Sequence, residues 1–218
     1  MSLQNLLRQN PLRQSLLRRI LLAMVLTGVL SVSFACPTHA ATVLVFGDSL
    51  SAAYGLRKED GWVYLLQQQL PEHTFINASI SGETSGNGLA RLPAHLKEQK
   101  PDVLVIELGA NDGLRGFPVA TLRNNLQAMI DLGKQAGCRI LLLGMQIPPN
   151  YGPRYAKQFS DTYMQLAEEN AVALVPFMLQ AIAGDPAHFQ ADQVHPTAAV
   201  QPQILATVKP ALEPLLAP

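Results

Sequence analysis

A serine hydroxyl is a weak nucleophile until a neighbouring base takes its proton. Ser49 follows Val43-Leu44-Val45-Phe46-Gly47-Asp48, an apolar, β-branched run that ends in a Gly-containing turn. Such a run reads as a buried strand of a parallel sheet. In open α/β sheets, ligands bind beyond the carboxyl ends of the strands. Asp48 and Ser49 are also good helix N-cap residues, so this stretch alone fits a nucleophile or a cap equally well. The base must come from elsewhere. Of the five histidines, His195 stands in Asp192-Gln193-Val194-His195-Pro196, with a carboxylate three residues ahead of it. In a compact turn, Asp192 accepts from one ring nitrogen and aims the other at Ser49. A local Asp–His contact without catalytic meaning fits the same residues. His73 and His95 read as surface residues and His188, in Pro186-Ala187-His188-Phe189, as structural; His39 belongs to the amino-terminal segment.

The elements that must position these groups alternate between strand and helix. After the Ser49 strand, residues 51–55 read as a small-residue turn or short helix, and Gly61–Leu70 as a helix ended by Pro71. Thr74–Ala78 forms a second strand, Ser85–Gln99 a helix, Asp102–Leu108 a third strand and Val119–Gln135 a helix. Arg139–Leu143, a helix over Tyr155–Glu169, Ala171–Val175 and a last helix from near Ala198 complete the series. This alternation predicts one doubly wound α/β domain around a five-stranded parallel sheet. Three of its strand-end turns carry small or polar residues: Gly47-Asp48-Ser49, Ser81-Gly82-Glu83 and Gly109-Ala110-Asn111-Asp112. Each is ordinary turn composition, but parallel strands bring all three to one rim.

The chain has 218 residues, 48% of them apolar, enough for one domain with a substantial core. Its net charge of zero conceals an asymmetry. Arg8, Arg13, Arg18 and Arg19 precede residue 41 and no acid does, leaving 12 basic and 16 acidic residues, net −4, in the remainder. No basic face for nucleic acid is implied. Arg18-Arg19, the apolar run Ile20–Ala35 and the small-residue site Thr38-His39-Ala40 follow the plan of a secretory signal. Cleavage is expected after Ala40, giving a periplasmic or secreted protein of residues 41–218 without stable membrane insertion; an uncleaved anchor is the alternative. Cys36 would leave with the signal. Cys138, the cysteine that remains, reads as a buried structural thiol.

Taken together, Gly47-Asp48-Ser49-Leu50, Gly82, Gly109-x-Asn111-Asp112 and Asp192-x-x-His195 resemble, in order, the four blocks of the GDSL, or SGNH, hydrolase family. Asn77–Gly82, Gly88–Pro93 and Asn111–Gly116 extend the resemblance to its periplasmic thioesterase I branch, also described as lysophospholipase and arylesterase. The resemblance implies a three-layer α/β/α, flavodoxin-like fold. It makes Ser49 the nucleophile, His195 the general base and acid, and Asp192 its orienter. The N–H groups of Ser49 and Gly82 and the Asn111 amide would form an oxyanion hole. Asp48 and Asp112 would brace the turns. No metal or cofactor is implied, and the expected partner of a monomeric enzyme is a small acyl ester or thioester, extending to lysophospholipids. Two loops supply candidate acyl walls, Leu114 and Phe117 in one and Ile147, Pro148 and Tyr151 in the other; surface loops packed on the core are the alternative. Other readings are a non-catalytic acyl or lipid carrier and a metal-dependent phosphodiesterase using Asp48, His188, Asp192 and His195. A nucleotide binder is disfavoured because residues 47–55 lack a Gly-x-x-x-x-Gly-Lys loop.

Overall fold

The computed structural model describes residues 40–217; the expected signal segment, with Cys36 and His39, lies outside the described residues. Five parallel strands form one sheet: β1 Thr42–Gly47, β2 Thr74–Asn77, β3 Val103–Glu107, β4 Arg139–Leu143 and β5 Ala173–Val175. Their order is β2-β1-β3-β4-β5, the flavodoxin-like arrangement whose ligands sit at the β1/β3 switch point. β1 pairs with β3 from Val43–Val103 to Gly47–Glu107, so the Gly47 and Glu107 ends lie side by side. Val43–Phe46 and Val103–Ile106 have no exposed surface, as continuous apolar strands covered on both faces require.

The helices are α1 Trp62–Gln69, α2 Ser85–Gln99, α3 Ala110–Leu114, α4 Val119–Gln135, α5 Pro153–Asn170 and α6 Gln201–Leu212. α2, α4 and α5 stack together on one side of the sheet, and α1 packs with α6 on the other, giving three layers. Thr84 caps α2 by accepting the Asn87 amide. Pro93 lies inside α2 on its exposed face.

The fold departs from the sequence expectations in three places. Residues 109–113 do not form a simple turn. Gly109 takes φ 120° and starts α3, and a Cβ there would collide with the Tyr163 hydroxyl, which donates to the Leu108 carbonyl at 3.0 Å. β5 begins at Ala173 because Ala171, at φ 50°, closes α5 and the Val172 amide turns back to the Ala167 carbonyl. His73 and His95 are not ordinary surface residues. The His73 ring accepts the Ala41 amide through Nδ1 at the start of β1, and the His95 ring packs edge-on to Phe46 beside Arg91. Residues 49–55 form consecutive turns, the first of the two forms expected for residues 51–55. Cys138 is buried, with Sγ 3.1 Å from the Pro101 carbonyl and burial pushing its thiol up to about 11.

Candidate active site

The turn carrying Ser49 is shaped from below by a buried carboxyl. Glu107, the last residue of β3, has no exposed surface; its Oε2 accepts the Asp48 amide at 3.1 Å and the Ser51 hydroxyl at 2.8 Å. A Cβ at Gly47 would strike this carboxyl. That is why the chain leaves β1 through glycine although the backbone there is ordinary. Asp48 Oδ1 accepts the Leu50 amide at 3.0 Å, closing an Asx turn around Ser49 in place of the helix cap its composition suggested.

The long return from β5 delivers the base. Asp192 Oδ1 accepts the amides of Val194 at 2.9 Å and His195 at 3.0 Å, while its Oδ2 lies 2.7 Å from His195 Nδ1. The spacing of three residues therefore lets one carboxylate hold both the backbone and the ring of its partner. With Asp192 ionised, Nδ1 carries the ring proton and Nε2 accepts from Ser49 Oγ at 2.8 Å, across 146 positions of chain. A second clamp lies outside any motif. The Gln190 amide donates to the His195 carbonyl at 2.7 Å, and its Nε2 donates to the carbonyls of Tyr54 at 2.9 Å and Pro196 at 3.1 Å. Gln190 thus ties the His195 loop to the turn that carries Ser49.

Three donors belong to strand-end loops of one rim. The Ile80 amide donates to the Gly47 carbonyl at 3.0 Å, and Glu83 closes a turn back to Ile80 in which Gly82 takes φ 77°. Among the described residues, neither the Ser49 nor the Gly82 amide donates to a protein acceptor. Asn111 Nδ2 gives one hydrogen to Asp48 Oδ2 at 3.0 Å and keeps a second. Such uncompensated donors are what an oxyanion requires. Asp112 is buried one position further on, where it accepts the Ser85 amide at 2.8 Å and the Ser85 hydroxyl at 2.5 Å, fixing α3 to the start of α2.

Electrostatics divide these groups. Burial pushes the Asp48 carboxyl up to about 6 against the pull of the Leu50 amide and Asn111. Burial also raises Glu107 well above the usual carboxyl range, reinforced by the neighbouring Asp48 charge. Asp192 moves the other way, down to about 2, chiefly through the His195 amide and then the His195 ring.

Beside the triad lies a cavity of about 630 Å³, within the range of small-molecule sites. Leu114, Ile147 and Pro148 line it, together with Leu50, Met145, Phe177, Leu179 and Phe189. Phe117 and Tyr151, expected as walls, stand outside it. The Phe117 carbonyl instead accepts from Tyr155 at 2.6 Å, and the Tyr151 hydroxyl braces the Leu114 carbonyl at 3.1 Å. Loop composition identified the right segments, but only packing decides which side chains of a loop turn inward. Glu107 was foreshadowed by a carboxyl terminating an otherwise apolar strand; for Gln190 the sequence holds no signal. Asp48, His188, Asp192 and His195 do not assemble as metal ligands. His188 Nδ1 lies 3.0 Å from the Ile182 carbonyl, and no group of three or more His, Cys, Asp or Glu suited to a metal occurs among the described residues.

Comparison with known proteins agrees with this architecture. The chain is 50% identical over 196 residues to esterase TesA of Pseudomonas aeruginosa, covering 88% of this chain and 98% of that protein. It is 42% identical over 178 residues to thioesterase 1/protease 1/lysophospholipase L1 of Escherichia coli, covering 81% and 86%. A crystal structure of TesA superimposes with a TM-score of 0.78 at 52% identity, covering 80% of this chain and 99% of that one. The model of the GDSL-like lipase/acylhydrolase family spans residues 45–201, from the β1 strand through His195, and the chain belongs to that family.

Proposed function

We propose that this chain hydrolyses acyl esters and thioesters through an acyl-enzyme on Ser49. Ester hydrolysis is the activity that its family and its esterase and thioesterase relatives share. The observation that carries the mechanism is the unbroken relay Asp192–His195–Ser49, with contacts of 2.7 and 2.8 Å. His195 Nε2 takes the hydroxyl proton as Ser49 Oγ attacks the carbonyl carbon. The displaced electron pair rests on the carbonyl oxygen, facing the Ser49 and Gly82 amides and the free hydrogen of Asn111. When the pair returns, the carbon–oxygen or carbon–sulfur bond breaks, and the imidazolium protonates the leaving alkoxide or thiolate. Water, deprotonated by His195, then repeats the attack and frees the acid. The acyl chain takes the apolar cavity lined by Leu114, Ile147 and Pro148, of a size that suits a lysophospholipid as well as a shorter ester. The enzyme acts as a monomer outside the cytoplasm, with residues 1–40 removed on export; among the described residues, no helix is long and apolar enough to cross a membrane.

A fluorophosphonate probe should label the protein once, and Ser49→Ala should abolish both labelling and ester turnover, lowering kcat by about 10⁴ or more. Labelling that survives the substitution would remove Ser49 from the mechanism. Binding of fatty acid without any turnover would instead indicate a lipid carrier.

A further inference from the structure

Among the described residues, six large apolar side chains stand 40–50% exposed. Met164 lies alone on α5. The other five fall one to each loop that follows a strand: Tyr54 after β1, Ile80 after β2, Phe117 after β3, Tyr151 after β4 and Val194 after β5. In a parallel sheet these loops share one rim, and a contact or a shared loop ties each residue to the site. The Tyr54 ring lies 4.4 Å from the His195 ring, and Val194 lines the cavity. Tyr151 bonds to Leu114, Phe117 belongs to the same loop as Leu114, and Ile80 bonds to Gly47 two residues before Ser49. Five of the six exposed apolar tips therefore form a collar on the loops around the mouth, and apolar surface gathered in this way marks a contact.

The charges of these loops identify that contact. Among the described residues, Lys58 and Arg154, the latter in the first turn of α5, are exposed without a carboxylate partner, and Arg115 is bonded only to the Gly82 carbonyl. The carboxylates nearby are mostly engaged: Asp60 with Arg57, Glu83 with Arg91, Asp185 with the Ala187 amide and Asp192 with His195, leaving Glu59 free. The rest of the described chain carries excess negative charge. A rim of apolar tips interleaved with free cations complements a surface of acyl chains beneath phosphates. It does not complement a second copy of itself, which would oppose like charges across a two-fold contact.

We propose that this collar docks the mouth of the site onto a phospholipid surface. Tyr54, Ile80, Phe117, Tyr151 and Val194 enter the headgroup–acyl boundary, and Lys58, Arg115 and Arg154 rest on phosphates. Docking delivers an acyl substrate to the cavity without its passing through water. Its purpose rests on the ester-hydrolase reading, but its detection does not.

The test is co-sedimentation of the processed protein, residues 41–218, with phosphatidylcholine vesicles with and without phosphatidylglycerol. The wild type should sediment with both, and more strongly with the anionic lipid at low salt. Ile80→Ser with Phe117→Ser should lower the partition coefficient by about tenfold or more. Lys58→Gln with Arg154→Gln should remove most of the preference for anionic vesicles. All variants should hydrolyse a short water-soluble aryl ester within about twofold of wild type, which confirms that they are folded. The proposal is overturned if the wild type remains in the supernatant, or if the Ile80/Phe117 variant sediments unchanged. A concentration-dependent dimer abolished by the same substitutions would also overturn it, assigning the collar to a second copy. Hydrolysis without sedimentation sinks docking alone, whereas sedimentation without hydrolysis by the wild type sinks the catalytic reading alone.

Discussion

Asp48 lies beneath Ser49 with no exposed surface, whereas Asp192 lies beside His195 with 41% of its side chain in solvent. The floor under the serine is held by long-range packing. Gly47, Asp48 and Ser51 are gathered around Glu107, 56 to 60 positions away, in a space that admits no further side chain. The His195 loop is held mainly by its own short-range hydrogen bonds, with Gln190 as its tie to the floor. Burial without a cation pushes a carboxyl toward protonation, while convergent N–H donors keep one ionised. The same residue type thereby serves as a turn brace in one region and as the partner of a base in the other.

Three measurements would break or sharpen this contrast. The largest effect is expected from Asp192→Asn, which keeps the shape but loses the charge and the tautomer control; kcat should fall about 10³–10⁴-fold with little change in KM. A loss below about tenfold would mean that the backbone, and not the carboxylate, orients His195.

The second concerns pH and stability. The folded-state value of Asp48 lies above its ordinary 3.8, at about 6, so the folded chain binds the extra proton in that interval. Its contribution is complete below about 4 and is lost as pH rises through about 6, a decline of about 3 kcal/mol. Asp192 works in the opposite window, its contribution being present above about 4 and lost as pH falls through about 2. Urea denaturation across pH 4–7 should show the first slope in the wild type and a flatter one in Asp48→Asn. An unchanged slope would transfer that titration to Glu107.

The smallest effect is expected from Gln190→Glu. The exchange places a carboxylate oxygen against the carbonyls of Tyr54 and Pro196, loosening the loop from the floor. We expect kcat to drop about tenfold with KM unchanged, and unaltered kinetics would show that the loop needs no tie.

The two regions also differ in how far they could be read in advance. Asp-x-x-His was legible because its geometry is local: the carboxylate and the amides it holds lie within three residues. The parallel order of the sheet was legible too, since continuous apolar strands alternating with amphipathic helices have few other ways to bury their faces. The helix at Ala110–Leu114 was not, because it is started by a glycine that close packing against Tyr163 demands. Nor were the structural contacts of His73 with Ala41, just before β1, and of His95 with Phe46 in β1, because those partners are remote in the chain.

By itself, then, the sequence determined the strand–helix alternation, the serine at a strand end, the Asp–His turn and the two apolar loops that follow β3 and β4. These follow from periodicity and from bonds spanning a few residues. The tertiary structure alone decided that Ser49 and His195 meet at 2.8 Å, that Glu107 underlies the serine turn, and that Leu114 faces inward while Phe117 faces out. Each of those depends on packing between segments distant in the chain, where the position of a side chain is set by the volume its neighbours leave and not by its own type.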